Sequence, residues 1–367
     1  MKDYSHLFEG VEDPRRSNAT RHDLHEMLMI GLLSTLCGGE GCSDMALFGR
    51  MKEPFLRTFM RLEHGIPSHD AFSDLFNALD PQAFQGVMVR LTQSVAEQLG
   101  DVIAVDGKSV RHSFDKAKDK SPLHLVQAFA AHSRLVLGQV ATDAKSNEIS
   151  AMPALLQMLS LKGRIMTADA MHTQRNTARA VCDARGDYAL VLKRNHKALY
   201  EDVALWFDDP ADREHTDRHQ CVDAGHGRIE TREAVVCSNI DWLIQRHDWP
   251  GLKAIGKITA TRQVGGKTTT QTRCYLLSTP LSAQRLVNVT RAHWQIENAL
   301  HWVLDVTMNE DAARQRNDNG PENLAILRRI ALNLARLEPS KGSMRGKFKR
   351  AAWNDQFMLQ LLASSSI

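Results

Sequence analysis

Val102-Ile103-Ala104-Val105-Asp106-Gly107-Lys108 is the stretch that decides the fold. Four consecutive apolar residues predict a buried strand, and Asp106 stands where that run ends. A second apolar run, Ile165-Met166-Thr167-Ala168, ends in the same way at Asp169. Taken alone, an Asp after a strand is more often a turn residue or the cap of the next helix. Two such residues nevertheless allow a sheet to present two carboxylates together.

A third carboxylate, Glu297, lies in a segment with helical spacing. Four polar residues recur at intervals of four and form one stripe: His293, Glu297, His301 and Asp305. An apolar face flanks that stripe: Ile296, Leu300, Val303 and Leu304. A Glu on an amphipathic helix is usually a solvated surface residue, and Asp305, Glu310 and Asp311 are rival candidates for the third carboxylate. The eight-residue spacing of the two histidines, without a nearby cysteine, argues against a zinc site.

The three carboxylates Asp106, Asp169 and Glu297 predict a site for divalent cations. Two such ions can bind the attacking and the leaving oxygen of an in-line phosphoryl displacement. Because the ligands are all oxygens, the ion expected is Mg²⁺ or Mn²⁺, with two ions per active site.

Residues 1–95 have the pattern of a helical domain. Leu24, Met27 and Leu28 recur at helical spacing, Ser68 is placed to cap a helix, and Asp80-Pro81 opens another helix with Pro in its first turn. Such a domain can be a small DNA-binding module or a helical cap that packs on the core. The sequence does not decide between these two interpretations.

Composition sets broad limits on the protein class. The 367 residues, 43% of them hydrophobic, allow a sizeable core and one to three domains. The formal charge of +3 gives no whole-chain argument for nucleic-acid binding. The six cysteines form no CxxC pattern and indicate reduced thiols. The apolar run from Met27 to Cys37 is too short to cross a bilayer, and the N-terminus lacks a secretory signal. We therefore expect a cytoplasmic protein without a membrane partner.

Basic residues cluster locally. The clusters lie at residues 193–197, at Arg314 and Arg316, at residues 328–329 and at residues 341–350. They are either solubilising surface charges or contacts to phosphates. The DNA contacts predicted by the sequence are Lys108, Lys193, Arg194, His293, His301, Arg314, Arg316, Lys347, Lys349 and Arg350. The two histidines can alternatively orient the carboxylate that lies between them.

At this point a family resemblance becomes specific. Ala104-Val105-Asp106-Gly107-Lys108-Ser109-Val110-Arg111 resembles the first catalytic segment of the DDE transposases of bacterial insertion sequences, in the branch that includes the H-repeat-associated proteins. Further motifs of that branch occur in the expected order: residues 65–70, 145–149, 167–174, 293–298, 300–306 and 350–355. The resemblance therefore covers nearly the whole chain.

The resemblance implies an α/β fold: a ribonuclease H-like mixed-sheet catalytic core with an N-terminal helical domain and a β-rich insertion. The strand and helix patterns from residue 102 to residue 192 follow the order β-β-β-α-β-α-β, which such a sheet requires. The expected boundaries are 1–95 for the helical domain, 96–340 for the catalytic domain, 200–288 for the insertion within it, and 341–367 for a basic C-terminal tail. Asp106 is expected on a central strand and Asp169 at the end of its neighbour.

The predicted insertion contains short strands rich in Thr, Val and Ile, over residues 221–237, 252–264 and 268–278. Turns are expected at residues 225–227 and 265–267, in addition to a turn at residues 115–120 of the core. Trp242 and Trp249 lie in the insertion, where they are either core residues or stacking partners for a flipped base.

The resemblance also implies a function, which is a DNA transposase that cleaves element ends and joins the freed 3′-hydroxyl to target DNA. Asp106 is then expected to bridge both ions, with Asp169 and Glu297 holding one each. Related proteins carry Lys or Arg seven residues after the Glu, where this chain has Leu304; Arg314 or Arg316 can substitute for it. Double-stranded DNA and a second copy of the chain are the expected partners, at the bacterial nucleoid. The alternatives are a metal-dependent nuclease that does not join strands, and an inactive DNA-binding relic.

Overall fold

The computed structural model describes residues 5–16, 20–114, 121–142, 148–209, 216–225 and 227–363. The turn predicted at 115–120, most of the motif at 145–149 and His226 of the turn at 225–227 therefore lie outside the described residues. All six cysteines are free. In the described part of the chain, the helices are too short or too polar to cross a membrane.

Five strands form the part of the sheet that the sequence predicted. They are β1 (Val102–Val110), β2 (Leu123–Ala130), β3 (Leu135–Thr142), β4 (Ile165–Ala168) and β5 (Asp187–Leu192). The spatial order is β3-β2-β1-β4-β5. The first three strands are antiparallel, whereas β4 runs parallel to β1 and β5 runs parallel to β4. This is the mixed sheet of a ribonuclease H-like fold, so the predicted fold class is confirmed.

The insertion does not form a separate unit, since its strands extend the same sheet. They are β6 (Thr216–Gly225), β7 (Arg228–Cys237), β8 (Ala254–Val264) and β9 (Lys267–Leu277), close to the segments in which we predicted strands. The last of them, β9, pairs antiparallel with β5 over Ala189↔Leu277 to Leu192↔Cys274. The resulting nine-stranded order is β3-β2-β1-β4-β5-β9-β8-β7-β6.

Helices cover both faces of the sheet. Three of them follow individual core strands: α5 (Glu148–Gln157), α6 (Arg175–Asp183) and α7 (Lys197–Asp208). They share a core with the inward residues Ile103 and Val105 of β1. The remaining larger helices lie on the opposite face, against Val102 and Ala104. Because β1 has apolar residues on both faces, it reads as one continuous apolar run.

The N-terminal helices are α1 (Leu24–Leu36), α2 (Cys42–Leu56), α3 (His69–Ala78) and α4 (Pro81–Gln93). Two predicted helix starts are confirmed, because Ser68 accepts a hydrogen bond from the Ala71 amide at 3.2 Å and Asp80 accepts one from the Gln82 amide at 3.0 Å. An α-helical turn (α8, Asp241–Arg246) connects β7 to β8, and α9 (Ala283–His293) follows β9. The caps at Ser68 and Asp80 fix where α3 and α4 begin.

The C-terminal residues do not form the basic tail that we predicted. A helical turn, α10 (Trp302–Val306), leads to α11 (Gly320–Leu337), α12 (Met344–Trp353) and α13 (Asp355–Ala363). Phe348, Phe357 and Leu361 of the last two helices are buried in one core with α1–α4 and α11. The prediction was wrong because it was based on the many basic residues at 341–350. Apolar residues on one side of these helices determine the packing instead.

Candidate active site

Asp106 and Asp169 lie side by side at the ends of two parallel strands. Asp106 is on β1 opposite Gln127 of β2, and Asp169 directly follows β4. The last pair between the parallel strands is Val105↔Ala168, so the two carboxylates occupy the next positions along the same edge. Asp106 is largely buried, whereas the side chain of Asp169 is 61% exposed. The edge therefore presents one sheltered and one open carboxylate.

Glu297 comes from a π-helical segment, Ile296–His301, between α9 and α10. The spacing of four predicted a helix around Glu297, and the structure has a helix there whose turn at residues 296–301 is π-helical. Ile296 and Leu300 are buried in the helical core, while the Glu297 side chain is 49% exposed. A π-helical turn holds one residue more than an α-helical turn and is found often at functional sites. Here it carries Glu297 toward the strand end at Asp106.

Asp106, Glu297 and His301 form a compact cluster in which one ligand atom of each lies within 4.8 Å of the others. The His301 Nδ1 is 3.4 Å from Glu297 Oε2 and 3.8 Å from Asp106 Oδ2. Asp169 is not a member of this cluster. Its nearest basic partner is His293, whose Nε2 lies 3.9 Å from Asp169 Oδ1 and whose Nδ1 is 3.0 Å from the Thr167 hydroxyl.

The electrostatics of the cluster match those of a cation site. Burial, the charge of Asp169 and a hydrogen bond to Glu297 together raise the pKa of Asp106 to about 8. The contact with His301 outweighs burial and lowers the pKa of Glu297 to about 2. A proton on Asp106, donated to the Glu297 carboxylate, thus relieves the repulsion between the acids. A divalent ion at this place would do the same by replacing that proton.

Both histidines of the predicted stripe contact carboxylates. His301 is buried between Asp106 and Glu297, and His293 is mostly buried beside Asp169. Burial lowers the pKa of His293 and thereby favours its neutral form. These positions agree with the interpretation that the histidines orient the acids. His301 is buried in this structure, so its ring is not accessible to DNA.

The rival third carboxylates have other partners. Lys108 Nζ lies 2.5 Å from Asp305 Oδ1 and 3.4 Å from Asp311 Oδ1. Glu310 is fully buried, and its Oε2 accepts a hydrogen bond from Arg329 Nη2 at 3.1 Å. Lys108 was predicted to contact phosphate, but its side chain is only 6% exposed. That prediction is corrected, since Lys108 neutralises two partly buried acids, Asp305 and Asp311, beside the cluster.

The other predicted DNA contacts divide by exposure. Lys193, Arg194 and Arg314 are exposed, and Arg316 is half-buried with its guanidinium 5.3 Å from the Phe114 ring. The three predicted contacts on α12 differ in solvent exposure. Lys349 and Arg350 are exposed, whereas Lys347 is buried. The Lys347 Nζ donates to the Ala335 carbonyl at 2.8 Å. Lys347 is therefore a structural residue, and its assignment as a DNA contact was wrong.

Two features of the sequence acquire new meanings in the structure. Trp249 is buried in the core, which is the first of the two interpretations that the sequence left open. Glu148 belongs to the motif at residues 145–149, and the structure buries it between His124 and His172, with its carboxylate against Gly107 beside Asp106. Its position in the motif was the only sequence signal for it.

Comparison with known proteins gives a consistent family. Residues 97–334 match the family described as "Transposase DDE domain", and residues 5–92 match the one described as "DDE_Tnp_1-associated". The chain is 34% identical over 368 residues to the "H repeat-associated putative transposase YhhI" of Escherichia coli K12, covering 97% of both chains. It is 40% identical over 279 residues to the "Uncharacterized protein in dhlA 3'region" of Xanthobacter autotrophicus, covering 74% of this chain and 93% of that one.

Among solved structures, the chain is similar to the piggyBac transposase in a synaptic complex with hairpin DNA, with a TM-score of 0.43 and 10% identity. That match covers 97% of this chain and 76% of the other. At this level of similarity, nothing about function follows from it.

Proposed function

Because the chain belongs to the DDE transposase family, we propose that it is an active transposase. It cleaves the ends of an insertion sequence and joins the freed 3′-hydroxyl to target DNA by two-metal phosphoryl transfer. The observation that carries this proposal is the meeting of Asp106 and Glu297, from a strand and a distant π-helical segment, beside Asp169. A fold has no structural need to bring three acids together, because their repulsion destabilises it.

The residues present fit a pair of divalent ions. Asp106, Asp169 and Glu297 supply hard oxygen ligands, and burial together with the charge of Asp169 raises the pKa of Asp106, as expected where acids lie close together. Bound Mg²⁺ or Mn²⁺ would polarise the scissile phosphate and stabilise the charge that develops on the attacking and leaving oxygens. Asp106 would contact both ions, with Asp169 and Glu297 contacting one each.

The protein itself supplies rigidity and charge balance around these acids. Asp106 is held in the ladder between β1 and β2, and His293, whose Nδ1 is 3.0 Å from the Thr167 hydroxyl, has its Nε2 3.9 Å from Asp169 Oδ1. Lys108 neutralises Asp305 and Asp311, so these acids do not compete for the ions. The groups that remain available to the ions are the three carboxylates and His301, which lies in the compact cluster with Asp106 and Glu297.

DNA would approach along the edge of the sheet where the parallel strands end. Lys193 and Arg194 directly follow β5, so they lie at the same edge as Asp169, and both are exposed. Exposed cations at such an edge can neutralise phosphates on either side of the scissile bond. Since two element ends must be cut and joined together, we expect two copies of the chain to assemble on DNA.

The experiment that tests the proposal measures cleavage and joining separately. Duplex oligonucleotides that carry an element end are incubated with Mg²⁺ and a labelled target plasmid, and nicked and joined products are resolved. Asp106→Asn, Asp169→Asn and Glu297→Gln should each abolish both products while DNA binding is retained. Asp183→Asn, which changes an exposed Asp of α6 in the same way, is the matched control and should stay active.

Three outcomes distinguish this function from its alternatives. Cleavage followed by joining supports a transposase. Cleavage without joined product, under conditions in which a pre-nicked end is also not joined, assigns a nuclease. DNA binding without cleavage in Mg²⁺ or Mn²⁺ assigns an inactive relic.

A further inference from the structure

Behind the two aspartates lies a buried cluster that the proposed reaction does not use. Glu148, the first residue of α5, is 2% exposed. Its Oε1 accepts a hydrogen bond from His124 Nε2 at 2.5 Å, and its Oε2 lies 2.9 Å from His172 Nε2. Both histidines are also buried. The cluster therefore joins α5, β2 and the turn after β4 in one contact.

The cluster connects to the segment of each catalytic aspartate through one histidine, His172 for Asp169 and His124 for Asp106. We call these two connections the arms of the cluster. His172 is three residues after Asp169, in the short turn that carries this acid out of the sheet. On the other arm, His124 Nδ1 lies 2.7 Å from the Ser109 hydroxyl, three residues after Asp106 on β1. The Glu148 carboxylate also packs on Gly107, where an added Cβ would lie 2.6 Å from Oε1. The residue next to Asp106 thus leaves room for this carboxylate.

The sheet alone does not fix the two aspartates relative to each other. Pairing between β1 and β4 ends at Val105↔Ala168, one residue before both acids. Beyond that pair, β1 continues along β2, while the polypeptide after Asp169 turns away. A second connection across the gap is required if the separation of the acids is to be constant. The Glu148 cluster is such a connection.

Stability is a poor explanation for this arrangement. A buried carboxylate with two buried imidazoles loses hydration, and an apolar replacement of similar volume is often as stable or more stable. Burial opposes ionisation of Glu148, but the contacts with His124 and His172 outweigh it and lower its pKa to about 2. The group is therefore a buried carboxylate that accepts a hydrogen bond from His124 and lies in contact with His172.

We propose that Glu148, acting through His124 and His172, is a positioning residue that sets the separation of Asp106 and Asp169 and thereby the affinity of the site for divalent ions. This inference rests on the proposed function, because it presumes that the aspartates hold metal. In the proposed function the metal ligands are Asp106, Asp169 and Glu297, and Glu148 is given a separate role that supports them. The side chain itself touches neither DNA nor the reacting atoms.

The test measures the affinity of the DNA-free protein for Mn²⁺. Calorimetry gives the heat of binding, and paramagnetic resonance gives the concentration of the free ion. Direct partners of metal ligands typically change metal affinity by about 10- to 100-fold when they are replaced, and Glu148 acts on the ligands only through His124 and His172. We therefore expect Glu148→Gln to weaken Mn²⁺ binding by about tenfold, the lower end of that range. In cleavage assays the half-saturating metal concentration should rise by a similar factor, while the KM for DNA is unchanged.

The matched control is Glu338→Gln, because Glu338 is another buried carboxylate and its Oε2 lies 3.1 Å from Lys347 Nζ at the end of α11. This variant should lower the melting temperature without changing Mn²⁺ affinity. An equal loss of affinity in both variants, or an unchanged affinity in Glu148→Gln, would overturn the inference.

If Glu148→Gln does not fold, Ser109→Ala and His172→Gln decide the question. Each removes one arm of the cluster, so each should weaken Mn²⁺ binding in the same direction, and unchanged binding in both contradicts the proposal. A wild-type protein that neither binds Mn²⁺ nor cleaves DNA would instead refute the proposed function. Wild-type binding together with unchanged variants would refute the positioning role alone.

Discussion

At the scale of single residues, the site is governed by where protons and charges reside. Asp106 is buried beside two acids and Glu297 is stabilised by His301, so the pKa values of the two groups move apart. Lys108, which the sequence predicted to contact phosphate, lies instead beside the partly buried Asp305, and Arg329, from a predicted basic cluster, pairs with the buried Glu310. Charge balance in the interior therefore determines which acids remain available to a metal.

The raised pKa of Asp106 predicts a pH dependence of metal binding. A carboxyl with a pKa near 8 is protonated at lower pH, and an ion must displace that proton to bind. Affinity for Mg²⁺ should therefore increase as pH rises from about 6 to about 8, by roughly tenfold per pH unit, and then level off. Titration of the DNA-free protein by calorimetry in buffers of different ionisation enthalpy would measure both the affinity and the released proton. Binding that is constant over this range would contradict the prediction.

Glu322 predicts a pH effect on stability that is independent of the active site. Burial first, and then the charge of Asp80, raise the pKa of Glu322 from 4.5 to about 7. Between those values the folded state binds the extra proton, so the free energy of unfolding should fall by about 2 kcal/mol as pH rises from 4.5 to 7. Urea denaturation across this range, compared between wild type and Glu322→Gln, would measure it. The variant should lose this part of the pH dependence, and a parallel pH profile would count against the assignment.

At the scale of elements, one helix can carry both structural and surface cations. On α12, Lys347 is buried and donates to backbone carbonyls at the end of α11, whereas Lys349 and Arg350 face outward. The Lys349 ammonium and the Arg350 guanidinium lie over the rings of Trp353 and Phe357. Neighbouring residues of the same charge therefore have different roles, because helical geometry turns them to different faces.

Replacing these cations separately should divide stability from DNA binding. Lys347→Ala leaves two buried carbonyls without a donor and should cost about 2–4 kcal/mol of unfolding free energy with little effect on DNA affinity. The pair Lys349→Ala and Arg350→Ala should leave folding nearly unchanged and reduce the salt slope of DNA binding by about 2. Thermal unfolding and fluorescence anisotropy at several salt concentrations would measure both effects. An unchanged salt slope would make the outer pair ordinary surface charges.

At the scale of the whole molecule, the insertion and the catalytic core form one sheet. The β9 strand lies directly against β5, and its inner residues Cys274 and Leu276 share the core of α5–α7. On the other face, Tyr275 and Leu277 pack with α9, which leads to the segment that carries Glu297. The insertion thus supports the third carboxylate and cannot be regarded as an appended module.

Removing the insertion should therefore unfold the catalytic core. Replacing residues 216–277 by a short linker exposes the edge of β5 and the apolar face of α9, and the product should be insoluble or lack cooperative unfolding. The control shortens only the outer ends of β8 and β9, by replacing residues 261–270 with a two-residue turn. Those residues are mostly exposed, so this variant should unfold cooperatively near the wild-type temperature. A soluble, cooperatively folded protein without β9 would contradict this view of the insertion.

The sequence by itself determined the features that depend on neighbouring residues. It predicted strands β1 to β5, the cap at Ser68 and the helix start at Asp80-Pro81, because local periodicity and turn chemistry produce them. It also singled out Asp106, Asp169 and Glu297, partly from the strand ends and partly from the family resemblance. Whether these acids bind metal remains a prediction.

Only the tertiary structure decided what depends on residues far apart in the chain. The pairing of β9 with β5, the π-helical turn at Glu297 and the joining of the C-terminal helices to the N-terminal ones all require long-range packing. The burial of Lys108 and Lys347, and the meeting of Glu148 with two histidines, likewise follow from contacts across the fold. Composition and spacing cannot reveal such contacts, because burial and the identity of a charged partner are set by the packing of whole elements.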